Sequence, residues 1–154
     1  MKKKLVRAGL LLCAGIITLS LSAHAQHKSP VLNHIAIAVY DLDKATAFYR
    51  DVMEIDTLAE PFHDGKHTWL KIGPHSQLHL IKAAKEVTEH DIAAHLCFSV
   101  PSIDDFIVKL NKLNIPFRNW QGEKQKYTLR VDGVKQVYLQ DPDKYWVEVN
   151  DDKY

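Results

Sequence analysis

The chain has 154 residues, with 20 basic residues, 19 acidic residues and a formal net charge of +1 at pH 7. This nearly neutral composition excludes the strongly basic surface of a typical nucleic-acid-binding protein, so we expect no nucleic-acid partner. The hydrophobic share of 46% is typical of a folded globular domain.

The first 25 residues have the pattern of a secretory signal peptide. A basic segment at 2–7 precedes an apolar stretch at 8–22 that carries no charge, and the small-x-small motif Ala23-His24-Ala25 follows. We therefore expect cleavage near Ala25 and a periplasmic or secreted protein. The apolar stretch is short for a membrane span, so we expect no stable membrane insertion.

The expected mature chain, residues 26–154, is one domain that must be stabilised by its core. The signal segment holds four of the basic residues and no acid, so the remainder is weakly acidic. Only Cys97 remains after cleavage, so no intrachain disulfide can form. Its length is sufficient for one hydrophobic core.

An internal repeat organises this domain. The segment His34–Val39 alternates apolar residues as a strand does, and His95–Val100 repeats the pattern 61 residues later. Each strand is followed by a capping residue, Asp41 or Ser102, and then by a helical pattern. The helical apolar positions are Leu42, Ala45, Phe48, Tyr49 and Val52 in the first half, and Ile103, Phe106, Ile107, Leu110 and Leu113 in the second.

Three further strands are predicted after each helix. They are expected at 55–59, 68–72 and 77–82, and then at 116–120, 134–140 and 146–150. Residues 127–131 either extend the sixth strand or form a loop over the site. The pattern predicts an α+β fold of two βαβββ modules, at about 31–82 and 93–150. We expect them to form one cupped, mostly antiparallel sheet around a metal site, with the helices outside.

Four polar residues interrupt the apolar alternation of these strands at equivalent positions. His34 and His95 begin the first strand of each module, and His79 and Glu148 lie in the last. Such side chains are costly on a buried face unless they have a partner. Three imidazoles and one carboxylate suit one divalent transition metal ion, Zn, Ni, Fe, Mn or Co. Taken alone, His79 and Glu148 also fit solvated positions.

Three other residues are predicted to line a pocket for a small-molecule substrate. Trp69 and Tyr138 are the aromatic residues best placed to do so. Cys97 lies two residues after His95 and shares its face of the strand, where it is either a catalytic thiol or a small buried hydrophobe.

The segments LNHIAIAVYDLDKATAFYRDVM, HLCFSVPSIDDFIVKL and VYLQDPDKYWVEVND together resemble the vicinal oxygen chelate superfamily. This superfamily includes lactoylglutathione lyase, fosfomycin-resistance thiol transferases and extradiol dioxygenases. The resemblance covers nearly all of residues 31–151. It implies paired βαβββ modules around a metal that acts as a Lewis acid. It also implies a homodimer with pockets completed across the interface.

The resemblance assigns roles to individual residues. His34, His95 and Glu148 match metal-ligand positions of the lyase and the fosfomycin enzymes. His79 lies where the lyase carries a glutamate that is both ligand and base. The proton carrier in this chain is therefore expected to be Glu148 or a metal-bound hydroxide.

Several functions are compatible with this site. The leading interpretation is an exported metal-dependent enzyme, similar to a lyase or isomerase, whose small substrate is chelated through vicinal oxygens. The second is a binding protein of the same fold that sequesters a small ligand or drug without turnover. A structural metal, a thiol transferase and an extradiol dioxygenase are further alternatives.

Overall fold

Two modules follow each other in the computed structural model, which describes residues 29–153. The first module has four strands and one helix that ends in a π-helical turn. In chain order they are β1 (His34–Val39), α1 (Leu42–Ala47), the π-helical turn (Phe48–Val52), β2 (Thr57–Leu58), β3 (His67–Lys71) and β4 (Gln77–Lys82). The strand order in the sheet is β1-β4-β3-β2, with β1 and β4 parallel and the other pairs antiparallel.

The second module repeats this topology with one additional short strand. It consists of β5 (His95–Ser99), α2 (Ile103–Lys112), β6 (Phe117–Arg118), β7 (Thr128–Leu129), β8 (Lys135–Gln140) and β9 (Trp146–Asn150). The sheet order is β5-β9-β8-β6, and β5 is parallel to β9. The predicted α+β fold of two βαβββ modules is thereby confirmed. Residues 127–131 contribute β7, which pairs with β8.

The strands of the described residues form two hydrogen-bonded sheets, one in each module, where we expected a single cupped sheet. In each module the last strand lies inside the sheet: β4 is between β1 and β3, and β9 is between β5 and β8. The second strand of each module is also shorter than predicted, with two residues in β2 and two in β6. These strands lie at sheet edges, where only one neighbour supplies hydrogen bonds.

Each sheet has one apolar face and one polar face. Alternation along the strands directs residues such as Leu80 and Val149 towards the helices and leaves His79 and Glu148 on the other side. The buried apolar core residues of the described chain include Ile37, Val39, Leu42, Ala45, Leu70, Leu78, Leu80, Ile103, Phe106, Leu110, Val137, Leu139, Val147 and Val149. The polar face of each sheet is therefore available for a functional site.

The first helix departs from the continuous α-helix predicted through Val52. Its N-terminus is capped as expected, since Asp41 Oδ1 accepts a hydrogen bond of 3.1 Å from the Lys44 amide. After Ala47 it widens into the π-helical turn, which buries both Phe48 and Tyr49. Such π-helical segments are rare and occur mostly as single turns inside α-helices.

The loop between β8 and β9 joins the two modules through polar contacts, of which the one between Tyr49 and Asp141 is buried. Tyr49 Oη donates a hydrogen bond of 3.0 Å to Asp141 Oδ2, and the Tyr40 amide donates one of 2.6 Å to Asp143 Oδ1. Tyr145 Oη also donates to the Ala38 carbonyl oxygen at 3.2 Å. Burial raises the pKa of Asp141 to about 6, with Asp143 adding to this effect, although hydrogen bonds from Tyr49 and the backbone oppose it.

Among residues 29–153, no helix is long and apolar enough to cross a membrane. The predicted signal peptide at 1–25 lies outside the described residues, so its cleavage remains a prediction.

Candidate metal centre

Two of the four predicted ligands lie side by side on the polar face of the first sheet. His34 begins β1, and His79 occupies the neighbouring strand β4, where it lies opposite Ala36. Their rings stack with centroids 4.3 Å apart and planes 6° apart. The Trp69 ring stacks on the other side of His79, also at 4.3 Å. Trp69 is positioned by the register of β3, in which it lies directly opposite His79.

Each of these histidines has one nitrogen occupied by a neighbouring amide oxygen. His34 Nδ1 donates a hydrogen bond of 2.7 Å to Asn33 Oδ1, and His79 Nε2 donates one of 2.8 Å to Gln77 Oε1. Because these partners only accept, the other ring nitrogen of each neutral imidazole keeps its lone pair. Desolvation and the nearby His34 and His67 lower the pKa of His79, which favours its neutral form. Both residues therefore suit metal binding.

The other two predicted ligands are in direct contact on the polar face of the second sheet. His95 Nε2 lies 3.3 Å from Glu148 Oε2. The Nδ1 atom of His95 donates to the Ile92 carbonyl oxygen at 2.7 Å, so the neutral ring has its lone pair on Nε2, directed towards a carboxylate oxygen. Two acceptors at this distance repel each other unless a proton or a cation lies between them. This pair is therefore suited to hold either a proton or a metal cation between its two atoms.

The carboxylate of Glu148 is buried and held by three side chains. Tyr138 Oη donates to Glu148 Oε2 at 2.5 Å, while Asn150 Nδ2 and Cys97 Sγ donate to Oε1 at 3.0 Å and 3.3 Å. Burial alone would raise the pKa of Glu148, but these hydrogen bonds outweigh it and the pKa lies below the ordinary value. Glu148 is thus ionised at neutral pH, and the interpretation that it faces water is wrong.

Cys97 corrects one interpretation made from the sequence. The residue is exposed, so it is not a small buried hydrophobe. Desolvation of its sulfur by the atoms packed around it, together with the Glu148 carboxylate, raises the pKa of the thiol to about 12. A thiolate is therefore scarce at neutral pH, and the role that its contacts support is hydrogen-bond donation to Glu148.

The repeat places further residues in equivalent positions. Tyr138 lies opposite Glu148 in the second sheet, as Trp69 lies opposite His79 in the first. Asn150, which sequence reasoning missed, follows Glu148 by two residues and so lies on the same face. Period-two alternation of polar residues along β9 is the signal that would have identified it.

The two pairs, His34 with His79 and His95 with Glu148, are each formed within one sheet. Within residues 29–153 there is no cluster of three or more His, Cys, Asp and Glu side chains placed to hold one metal ion. The structure thus brings the predicted ligands together as pairs.

A cavity of about 820 Å³ adjoins the second pair. Tyr138 lines it and also contacts Glu148, whereas the other two predicted pocket residues, Trp69 and Cys97, lie outside its wall. The remaining lining residues are Glu89, Asn111, Asn114, Ile115, Pro116, Phe117, Arg118, Lys124, Gln125, Leu139, Gln140 and Trp146.

Comparisons with known proteins agree with the fold of the two modules. The sequence model of the Glyoxalase/Bleomycin resistance protein/Dioxygenase superfamily matches residues 31–149. A lactoylglutathione lyase from Pseudomonas putida is 26% identical over an alignment of 152 positions, gaps included. The alignment covers 77% of this chain and 83% of that protein. The crystal structure of lactoylglutathione lyase from Agrobacterium tumefaciens has a TM-score of 0.59 and 25% identity, covering 81% of this chain and 95% of the other. The fosfomycin resistance protein FosX from Listeria monocytogenes has a TM-score of 0.65 at 19% identity, covering 82% and 94%, and is similar in fold.

Proposed function

Because the chain belongs to the Glyoxalase/Bleomycin resistance protein/Dioxygenase superfamily, we propose that it is a metal-dependent lyase or isomerase. Its substrate is a small molecule that binds through two vicinal oxygens. The observation that carries this proposal is the buried Glu148 carboxylate 3.3 Å from Nε2 of His95, whose Nδ1 contacts the Ile92 carbonyl oxygen. The equivalent positions in the first sheet hold two imidazoles with free lone pairs.

The residues fit one divalent transition metal ion. His34, His79 and His95 supply nitrogen donors whose other ring nitrogen is hydrogen-bonded, as is usual for metal-binding histidines. Glu148 supplies an oxygen donor. When bound, such an ion polarises a substrate oxygen as a Lewis acid.

The protein's own groups provide the proton chemistry. Glu148 is the proposed proton carrier, since its carboxylate is ionised and has access to the polar face through Oε2. Tyr138 and Asn150 orient the two carboxylate oxygens by hydrogen bonds. Burial, together with the hydrogen bond to Glu148, raises the pKa of Tyr138, so that its hydroxyl remains a donor at neutral pH.

We further propose that the active form is a homodimer. In it the His34–His79 pair of one chain would face the His95–Glu148 pair of the partner. Two properties of the polar faces support this arrangement. Each sheet carries one complete pair, and the small residues Ala36 and Cys97, which lie two positions after His34 and His95, are exposed and leave room for another layer.

Metal content is the first test. The purified protein is expected to contain one transition metal ion per chain, measured by elemental mass spectrometry after purification without chelator. The double variant His34→Ala/Glu148→Ala should lose it, whereas His75→Ala, which removes an exposed histidine in a loop, should retain it. A folded wild-type protein without metal would contradict the enzyme proposal and favour a ligand-binding protein.

Export is also part of the proposal, supported by the basic segment, the uncharged apolar stretch and the Ala23-His24-Ala25 motif. Expression of the full chain in a Gram-negative host should yield a periplasmic protein that begins at Gln26, as measured by intact mass. Replacing Ala25 with a bulky residue, as in Ala25→Phe, should block this processing. A cytosolic product of full mass from the unaltered chain would disprove export.

A further inference from the structure

Arg118 lies on the polar face of the second sheet, beside the proposed metal centre. It is opposite Tyr138 in the register of β6 and β8, and Tyr138 in turn is opposite Glu148. The guanidinium carbon of Arg118 lies 4.3 Å from the centroid of the Trp146 ring, which fixes the plane of the cation. Arg118 is not one of the four proposed metal ligands, so the proposed function gives it no role.

The Nε atom of Arg118 is buried and has no hydrogen-bond partner among the described residues. Arg118 therefore keeps unmet hydrogen-bonding capacity, and an anion that reaches its terminal Nη groups from the cavity gains charge-assisted hydrogen bonds. The two terminal Nη groups of a guanidinium form a planar fork that matches the two oxygens of a carboxylate. The side chain is therefore suited to a carboxylate ligand.

The cavity of about 820 Å³ that Arg118 lines carries more basic than acidic side chains on its wall. Its charged lining residues are Arg118, Lys124 and Glu89. The Glu89 carboxylate is already engaged by the ammonium group of Lys144, which leaves the two cations as the dominant charges. Tyr138 and Trp146 add aromatic surface to the same wall.

We propose that this cavity binds a carboxylate group of the substrate and that Arg118 determines this specificity. The inference rests on the proposed function, because it makes the cavity a subsite of the metal centre. Tyr138 connects the two, since it lines the cavity and donates a hydrogen bond to Glu148. A substrate would then present vicinal oxygens to the ligand pairs and a carboxylate to Arg118.

Benzoate and its neutral isostere benzamide are suitable probes, since each has an aromatic ring that can pack against Trp146. Binding to the full protein is measured by NMR titration of the Trp146 indole resonance, which requires neither metal nor turnover. Benzoate should bind the wild-type protein and shift this resonance, whereas benzamide should not. Arg118→Gln should weaken benzoate binding by about 10- to 100-fold, the range expected for hydrogen bonds to a charged group.

Three further variants complete the test. Arg118→Lys keeps the charge but loses the planar fork, so its affinity should be intermediate; this variant also decides the question if Arg118→Gln does not fold. Lys124→Gln should weaken binding by a smaller factor than Arg118→Gln. Arg130→Gln is the matched control, because this arginine lies outside the cavity and pairs with Asp132, and it should bind as the wild type does.

Equal affinity of the wild type, Arg118→Gln and Arg118→Lys for benzoate would overturn the proposal, as would equal binding of benzamide. Because the titration is independent of metal content, it is separable from a failure of the proposed function. A protein that binds benzoate through Arg118 but holds no metal would retain the carboxylate site and lose the enzyme proposal.

Discussion

A mixture of two metal-free variants is expected to recover metal binding. One variant is His34→Ala/His79→Ala and the other is His95→Ala/Glu148→Gln, so each retains one ligand pair. If each site combines the pairs of two chains, a mixed dimer contains one site with both pairs intact and one with neither. Coexpression at equal levels should restore about a quarter of the wild-type metal content per chain, since about half of the dimers are mixed.

The physical basis of this expectation is the separation of the four ligands into two sheets. His34 and His79 are neighbours through the parallel pairing of β1 and β4, and His95 and Glu148 through that of β5 and β9. A two-fold dimer places the same surface of both chains in contact, so it creates two equivalent sites.

In mixed dimers isolated through two different affinity tags, elemental analysis should find one metal ion per dimer, which is half of the wild-type content per chain. The matched control joins two differently tagged copies of His34→Ala/His79→Ala, in which each site keeps only the His95–Glu148 pair, and these dimers should remain metal-free. If the first mixture also remained metal-free while mixed dimers formed, the site would not combine pairs from two chains.

The second large effect is expected on stability, from Asp141. Burial raises the pKa of this carboxyl from 3.8 to about 6 in the folded protein. The stabilising contribution of the protonated form is therefore fully present below about pH 4 and is lost as the pH rises through about 6. By pH 7 the loss approaches about 3 kcal/mol, since each pKa unit corresponds to about 1.4 kcal/mol.

The variant Asp141→Asn should abolish this dependence because its amide does not ionise. Its Oδ1 can still accept hydrogen bonds from the amides of Asp143 and Tyr145, and its Nδ2 can donate to the Tyr49 hydroxyl. The difference in unfolding free energy, wild type minus variant, should fall by up to about 3 kcal/mol between pH 4 and pH 7.

Urea titrations at several pH values give these free energies. Asp56→Asn, which alters an exposed carboxylate, serves as the control and should follow the wild-type profile. A constant difference between wild type and Asp141→Asn across this range would show that Asp141 does not titrate with a raised pKa.

The secondary structure was predicted correctly where apolar alternation and the internal repeat indicate the same strand. Alternation of apolar residues placed β1, β4 and β9 at the bounds that the structure has, because strands with two strand neighbours or a helix above them need a regular buried face. The short strands β2 and β6 were predicted too long, since apolar alternation does not show how many residues of a segment pair with a neighbouring strand. The π-helical turn at Phe48–Val52, where Tyr49 is buried and bonds to Asp141, was likewise missed, because the apolar spacing also fits a continuous α-helix.

For the candidate site too, some features could be predicted from the sequence and others could not. The repeat alone was sufficient to predict that His34 and His95 are equivalent, and that His79 and Glu148 are, because residue spacing within a strand determines the face. It did not predict the His95–Glu148 contact, the bond from Cys97 to Glu148, or the unpaired Nε of Arg118. These depend on which strands become neighbours.

By itself, the sequence determined the family, the two modules and the identity of the four ligand candidates. Those properties follow from residue type and from short-range periodicity, which are encoded within a few consecutive positions. Only the tertiary structure decided that the ligands form two pairs, that Glu148 is held ionised, and that Arg118 faces a cavity. Each of these results from strand order and register, which bring together residues such as Cys97 and Glu148 that are distant along the chain.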